Sequence, residues 1–296
     1  MPSLVMPLDA REMRVLEGLR LRPRKSFGGR VRGERLTKKR GISIEFADYR
    51  EYAEGDDLRH LDWNVLARLE VPVTKTYRDE EDLAVHLLLD ASPSMDYGEP
   101  TKLEMARKLA CAVGYLGLSG GDAVYPRALG LREKPMPSLR SRSSFPRLTK
   151  WADATRAPED PTSISLATAL RQFAGASARP GLVVLISDGL DPEITTAIRI
   201  IAGRGHEIMF MQVLSELDLD PDLEGDLRLL DGEGGSPVEL TANGDVLKKY
   251  RQNLKKHIEA VQEATTRAGG RVAMIQSDRN IEDVLKNVLK KEGWVG

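Results

Sequence analysis

Two short stretches of the 296-residue chain place carboxylates and hydroxyls where they could hold a hard cation. In Leu83-Ala-Val-His-Leu-Leu-Leu-Asp90-Ala-Ser92-Pro-Ser94 an apolar run stops at an aspartate followed by two alternate serines. Asp90, Ser92 and Ser94 offer one carboxylate and two neutral hydroxyls, the oxygen donors that Mg2+ or Mn2+ prefers over soft ligands. A second run, Pro180-Gly-Leu-Val-Val-Leu-Ile-Ser187-Asp188-Gly189, repeats the theme. Asp, Ser and Pro after a strand also serve as ordinary turn and cap residues. The repetition is what favours a metal site: two apolar strands each deliver a carboxylate at one edge. Between them, Pro161-Thr162-Ser163-Ile-Ser165 sets hydroxyls just before a helical pattern.

Other chemistries are poorly provided for. Strand-end aspartates can act as nucleophiles, so a metal-dependent hydrolase or phosphotransferase using Asp90 or Ser92 is the alternative reading. Against it, the Gly-x-Ser-x-Gly stretch at Gly117-Leu-Ser119-Gly-Gly121 falls where a helix ends rather than at a strand-to-helix elbow, and His60, His86, His206 and His257 have no spacing that suggests a triad. Neither Gly-x-x-x-x-Gly-Lys nor Gly-x-Gly-x-x-Gly occurs, so the chain carries no visible ATP site. Cys111 is the single cysteine and lies on an apolar helical face, which reads as a buried structural thiol and rules out an intrachain disulfide.

The elements that must position these residues are legible from periodicity. Both aspartate-ending runs lack polar alternation and are too short to cross a bilayer, as central strands of a parallel sheet covered on both faces would be. Helices are expected at about residues 7–21, 58–69, 101–118, 148–154, 192–204, 244–269 and 281–291, with another opening near Pro161. Strands are expected at 71–77, 123–129, 206–214 and 271–275, the first running antiparallel to the stretch before it. This alternation implies a doubly wound, mostly parallel α/β sheet of Rossmann-like type. The expected division is an N-terminal segment, 1–82, holding a basic helix and a charged stretch packed on the main domain, 83–296. Within the latter, residues 216–233 hold eight acids against Arg228 alone and read as an exposed acidic loop rather than a calcium site.

Composition bounds the function classes. With 30% charged and 41% hydrophobic residues and a net charge of −1, the chain is neither disordered nor a global nucleic-acid binder. Residues 1–40 carry twelve basic and four acidic side chains. Phe27 is their only aromatic, which argues against nucleic-acid stacking. No run reaches the ~20 apolar residues of a membrane span, and a lone cysteine suits a reducing compartment. The expectation is a cytoplasmic protein with no membrane span.

The charged stretch ahead of the first strand contains Arg50-Glu-Tyr52-x-x-Gly55-Asp56-Asp57-x-Arg59-x-x-Asp62-Trp63, then Ala67-Arg68 and Glu80. By itself it reads as a structural clamp, with Gly55-Asp56-Asp57 turning into a helix and Arg50, Arg59 and Arg68 able to pair with Asp57, Asp62 and Glu80. The pattern resembles domain-of-unknown-function family 58, found with MoxR-type AAA+ ATPases in bacteria. Asp90-x-Ser92-x-Ser94 with Ser187-Asp188-Gly189 resembles the metal-ion-dependent adhesion site (MIDAS) of von Willebrand factor type A domains. The resemblance implies a von Willebrand factor A-like fold with a family-specific N-terminal segment. It implies Mg2+ or Mn2+ held by Asp90, Ser92, Ser94, Asp188 and a middle hydroxyl, Thr162, with Ser163 and Ser165 as alternatives. It further implies a non-enzymatic protein-protein interaction module, an adaptor or co-chaperone for a separate MoxR-type AAA+ ATPase. In such sites a partner's carboxylate completes the metal shell.

Overall fold

The computed structural model describes residues 8–25, 27, 44–53, 61–79, 82–131, 135–158, 164–176, 179–229 and 237–296, with backbone alone over 44–48 and 75–79. The chain divides into two units, residues 26–82 and the remainder, in which residues 1–25 join 83–296. The basic helix therefore belongs with the main domain, and only the charged stretch forms the separate unit.

The larger unit is built on a five-stranded parallel sheet. In chain order the helix α1 (Ala10–Glu17) precedes β3 (Ala84–Asp90), α3 (Lys102–Gly120), β4 (Ala123–Leu129), α4 (Phe145–Ala154), α5 (Leu166–Gly175), β5 (Leu182–Ser187), α6 (Ile194–Gly203), β6 (Glu207–Leu214), α7 (Glu216–Leu219), α8 (Gly244–Arg267) and β9 (Arg271–Gln276). The smaller unit supplies β1 (Ile44–Glu51), α2 (Trp63–Leu69) and β2 (Val73–Asp79). A separate hairpin of β7 (Gly225–Leu229) and β8 (Val238–Ala242) follows α7.

The main sheet runs β4-β3-β5-β6-β9. Every residue of β3, β5 and β6 is buried, so these strands need apolar side chains on both faces. On one face Val85, Leu87 and Leu89 of β3 pack with α1, α3 and the C-terminal segment. On the other face Leu88, Val183 and Leu185 pack with α5, α6 and Val261 of α8. The result is three layers, helices on either side of one parallel sheet. From β3 the chain passes through α3 to β4 on one side, whereas β5, β6 and β9 are added on the other. The crevice between the carboxyl ends of β3 and β5 is thus the topological switch point, where open α/β sheets place their sites.

The opposite edge of the sheet is closed by the two chain ends. Leu21 bridges Val295, and Glu207 at the start of β6 accepts the backbone N–H groups of Arg24 and Lys25 together with the Arg271 guanidinium. Arg271 in turn lies over the buried Trp294 ring. Basic residues just beyond α1 are in this way anchored through their main chain, a role that charge counting does not reveal.

Three expectations need correction. Residues 216–233 are not simply an exposed loop: Ser215 and Asp218 form a capping box at the start of α7, Asp218 is buried, and 225–229 is a strand. The last helix is α-helical only over Ile281–Asp283 and widens to a π-helix over Val284–Leu289. In the smaller unit the helix before β2 starts at Trp63, with Asp62 as its N-cap accepting from Asn64 and Val65 N–H. The expected antiparallel pairing is present between β1 and β2.

Candidate metal centre

Asp90 is the last residue of β3, and Ser187 is the last of β5. The strands are adjacent and parallel with Leu89 opposite Ile186, so the next step of the register sets Asp90 beside Ser187. Ser187 Oγ donates to Asp90 Oδ2 at 2.6 Å and accepts from Gly189 N–H at 2.9 Å. The other carboxylate oxygen of Asp90 accepts the Ser92 N–H at 2.9 Å, which turns the chain sharply out of the strand. Pro93 then opens a single 3-10 turn whose Met95 is buried, fixing the loop from below. Ser92 Oγ and Ser94 Oγ lie 3.0 Å apart beside this turn.

The second acid follows directly from β5. Asp188 Oδ1 accepts from Leu190 N–H and its main-chain carbonyl accepts from Gln212 Nε2. Gly189 has φ +64°, and a Cβ there would come within 2.6 Å of Phe210, so only glycine gives this turn. His257 of α8 donates through Nε2 to the Gly189 carbonyl at 2.7 Å. Farther along, Asp191 accepts the Ala167 N–H at 2.9 Å and so ties the start of α5 to the same loop. The loops after β3 and β5 therefore meet at the switch point, and the first turn of α5 is tied to the second of them.

Electrostatics make the convergence costly without a counter-ion. Burial pushes the Asp90 carboxyl up to about 7, and the neighbouring Asp188 adds to the effect, against hydrogen bonds from Ser187 and Ser92 that favour the anion. Asp188 has its own cation, Lys102, the first residue of α3 and 1% exposed. Lys102 Nζ donates to Asp188 Oδ2 at 2.9 Å and reaches Asp218 Oδ2 at 3.1 Å. Burial works against the ammonium, but the two carboxylates outweigh it and raise Lys102 above its ordinary range.

The sequence-predicted ligands divide accordingly. Asp90, Ser92, Ser94 and Asp188 come together. Thr162 and Ser163 lie outside the described residues. Ser165 is exposed and its hydroxyl caps α5, accepting from Thr168 N–H. Among the signature residues, Gly55, Asp56, Asp57, Arg59 and Glu80 lie outside the described residues. Arg50, Trp63 and Arg68 are exposed, Tyr52 is half-buried, and Tyr49 Oη donates to the buried Asp62 at 3.1 Å. Lys102 and Asp218 are not among the sequence-predicted ligands, though each leaves a trace in the sequence. A lysine at the first position of a helix opposes the helix dipole, and Ser215-x-x-Asp218 is a capping box.

The donor set suits a hard divalent ion. Of three buried carboxylates, Asp188 and Asp218 pair with the buried Lys102 ammonium, so once Asp90 is ionised two negative charges remain to be balanced among the described residues. No three His, Cys, Asp or Glu side chains among the described residues form a ligand cluster. Asp218 is drawn to Lys102, so a cation would rely on Asp90, Asp188 and the serine hydroxyls, a ligand mix suited to Mg2+ or Mn2+.

Comparison with known proteins adds family and relatives. A family described as protein of unknown function DUF58 matches residues 48–278. Uncharacterized protein Mb1516 of Mycobacterium bovis is 26% identical over 293 residues, spanning 96% of this chain and 90% of its own length. Uncharacterized protein Rv1480 of Mycobacterium tuberculosis matches to the same extent. Among solved structures, conserved hypothetical protein BatB from Bacteroides thetaiotaomicron is 13% identical with a TM-score of 0.46, covering 71% of this chain and 98% of its own.

Proposed function

The chain belongs to the DUF58 family, and from that premise we propose that it is a non-enzymatic, metal-dependent protein-protein interaction module with a von Willebrand factor A-like fold. The ion would be Mg2+ or Mn2+, held by Asp90, Ser92, Ser94 and Asp188 with a hydroxyl from the stretch before α5. When bound, it would supply an electrophilic position open to an oxygen anion. The partner we propose is a MoxR-type AAA+ ATPase acting in trans in the cytoplasm, which would offer a carboxylate to that position. The family resemblance of the charged segment and of the Asp-x-Ser-x-Ser loop suggests that partner.

One observation carries the reading: β3 and β5 bring Asp90 and Asp188 together, buried, at the switch point, with more negative charge than Lys102 balances. The surroundings favour binding over catalysis. Ser92 Oγ lies beside Ser94 Oγ and hydrogen-bonds the Asp90 carboxylate, which as a metal ligand would be committed to the ion. The three described histidines are engaged with backbone groups, His86 with the Arg179 carbonyl, His206 with Gly181 N–H and His257 with the Gly189 carbonyl. Tyr97, beside Lys102, and Leu217, beside Asp218, are exposed apolar side chains of the kind that border protein interfaces. No helix among the described residues is long and apolar enough to cross a membrane.

Two measurements test the proposal. Isothermal calorimetry should detect Mg2+ or Mn2+ binding to the parent protein and none to Asp90→Ala; equal binding by both removes the site. Immobilised protein should retain a MoxR-type ATPase in Mg2+ and release it in chelator. Retention unaffected by chelator would mean that the metal is not the contact.

A further inference from the structure

Lys102 is placed unlike any ordinary surface lysine. It sits on the first turn of α3, immediately after the Asp90 loop, and Thr101 caps that helix by accepting from Glu104 N–H. Its side chain spans the loop after β5 and the loop after β6, with Nζ between Asp188 and Asp218. Asp218 does not depend on Lys102 alone: its Oδ2 also accepts from Ser215 N–H and Ser215 Oγ, each at 2.8 Å. Its main-chain carbonyl accepts from Tyr250 Oη of α8 at 2.8 Å. Asp218 is therefore a rigid, well-supported acceptor. Asp188 Oδ2 has Lys102 Nζ as its partner, and Asp188 is also a proposed metal ligand.

We propose that Lys102 is a tethered cation that competes with the divalent ion for Asp188, with Asp218 as the post on which the ammonium rests when the ion is bound. This inference rests on the metal-site reading and adds to it a residue that sets the affinity of the site. Two cations on one carboxylate repel each other strongly where water is excluded. Lys102 thus holds the loops after β5 and β6 together in the metal-free protein and makes metal binding weaker and more reversible than Asp90 and Asp188 alone would allow.

The opposing directions of two substitutions separate this role from mere support. Lys102→Met keeps much of the stem but removes the charge; Mn2+ should then bind at least about tenfold more tightly, with a larger rise in melting temperature on adding the ion. Asp218→Asn removes the resting post and leaves Lys102 with Asp188; Mn2+ should bind about tenfold more weakly. Calorimetry with Mn2+ alone, beside circular dichroism to verify folding, reads both. A Lys102→Met protein that binds Mn2+ no more tightly than the parent overturns the competition while leaving the metal site standing. If the parent binds none and Lys102→Met gains binding, Lys102 is the resident cation, and the metal-occupied reading of the parent falls instead. Absence of binding in all three proteins overturns both. Should Lys102→Met not fold, Asp218→Asn decides: unchanged or tighter binding refutes the competition.

Discussion

Replacing Asp90 by asparagine separates the charge of this residue from its shape. Burial and Asp188 push the carboxyl up to about 7, whereas an unfolded aspartate titrates near 3.9. Between roughly pH 4 and pH 7 the folded chain holds a proton that the unfolded chain has released, so metal-free stability falls as pH rises through that window. The slope is at most about 1.4 kcal/mol per pH unit, or about 4 kcal/mol in all. Asparagine carries no charge, but Ser187 Oγ, which already accepts from Gly189 N–H, must then face an amide N–H. Losing the Ser187-to-Asp90 hydrogen bond costs about 1 kcal/mol. In chelator at about pH 8, Asp90→Asn should therefore be more stable than the parent by about 3 kcal/mol, and at about pH 4 less stable by about 1 kcal/mol. Urea unfolding followed by circular dichroism at both pH values measures this. Adding Mg2+ at about a hundred times its dissociation constant should then stabilise the parent by about 2.7 kcal/mol and leave the variant unchanged. A variant that is less stable than the parent at pH 8 in chelator would refute the reasoning, because it would mean that the ionised Asp90 is already satisfied.

Two further predictions concern the far edge of the sheet. His206 is lowered to about 4 by burial first and by repulsion from His86 second. It stays neutral in the fold while the unfolded chain protonates, so its contribution to stability is lost as pH falls from about 6.5 to about 4. In the parent this opposes the Asp90 slope; in Asp90→Asn it adds to the loss from His86, also lowered by burial, against the opposing slope of Asp122, raised by burial to about 6, and His206→Gln added to that background should reduce the acid sensitivity. Unchanged acid sensitivity in the double variant would clear His206. Glu207→Gln leaves Arg271 facing a neutral amide and should cost about 3 kcal/mol in denaturant unfolding. A loss below about 1 kcal/mol would show that the clamp on Arg24, Lys25 and Arg271 is incidental.

The sequence alone determined the strands that carry the acids and the helices between them, because fully buried parallel strands must be apolar on both faces, and such runs are conspicuous. It also singled out Asp90, Ser92, Ser94 and Asp188, since oxygen donors directly after an apolar strand fall at the sheet's carboxyl edge. Periodicity could not say which strands lie side by side. The order β4-β3-β5-β6-β9 is a long-range choice of packing, and that order sets Asp90 beside Ser187 and opens the crevice there. Lys102 and Asp218 depended still more on the tertiary structure. They are separated by more than a hundred residues and look like a solvated helix residue and one of many acids in an acidic stretch. Only the closure of the loops after β5 and β6 over α3 excludes water from both, and burial is what turns an ordinary lysine and an ordinary aspartate into a pair that can govern the site.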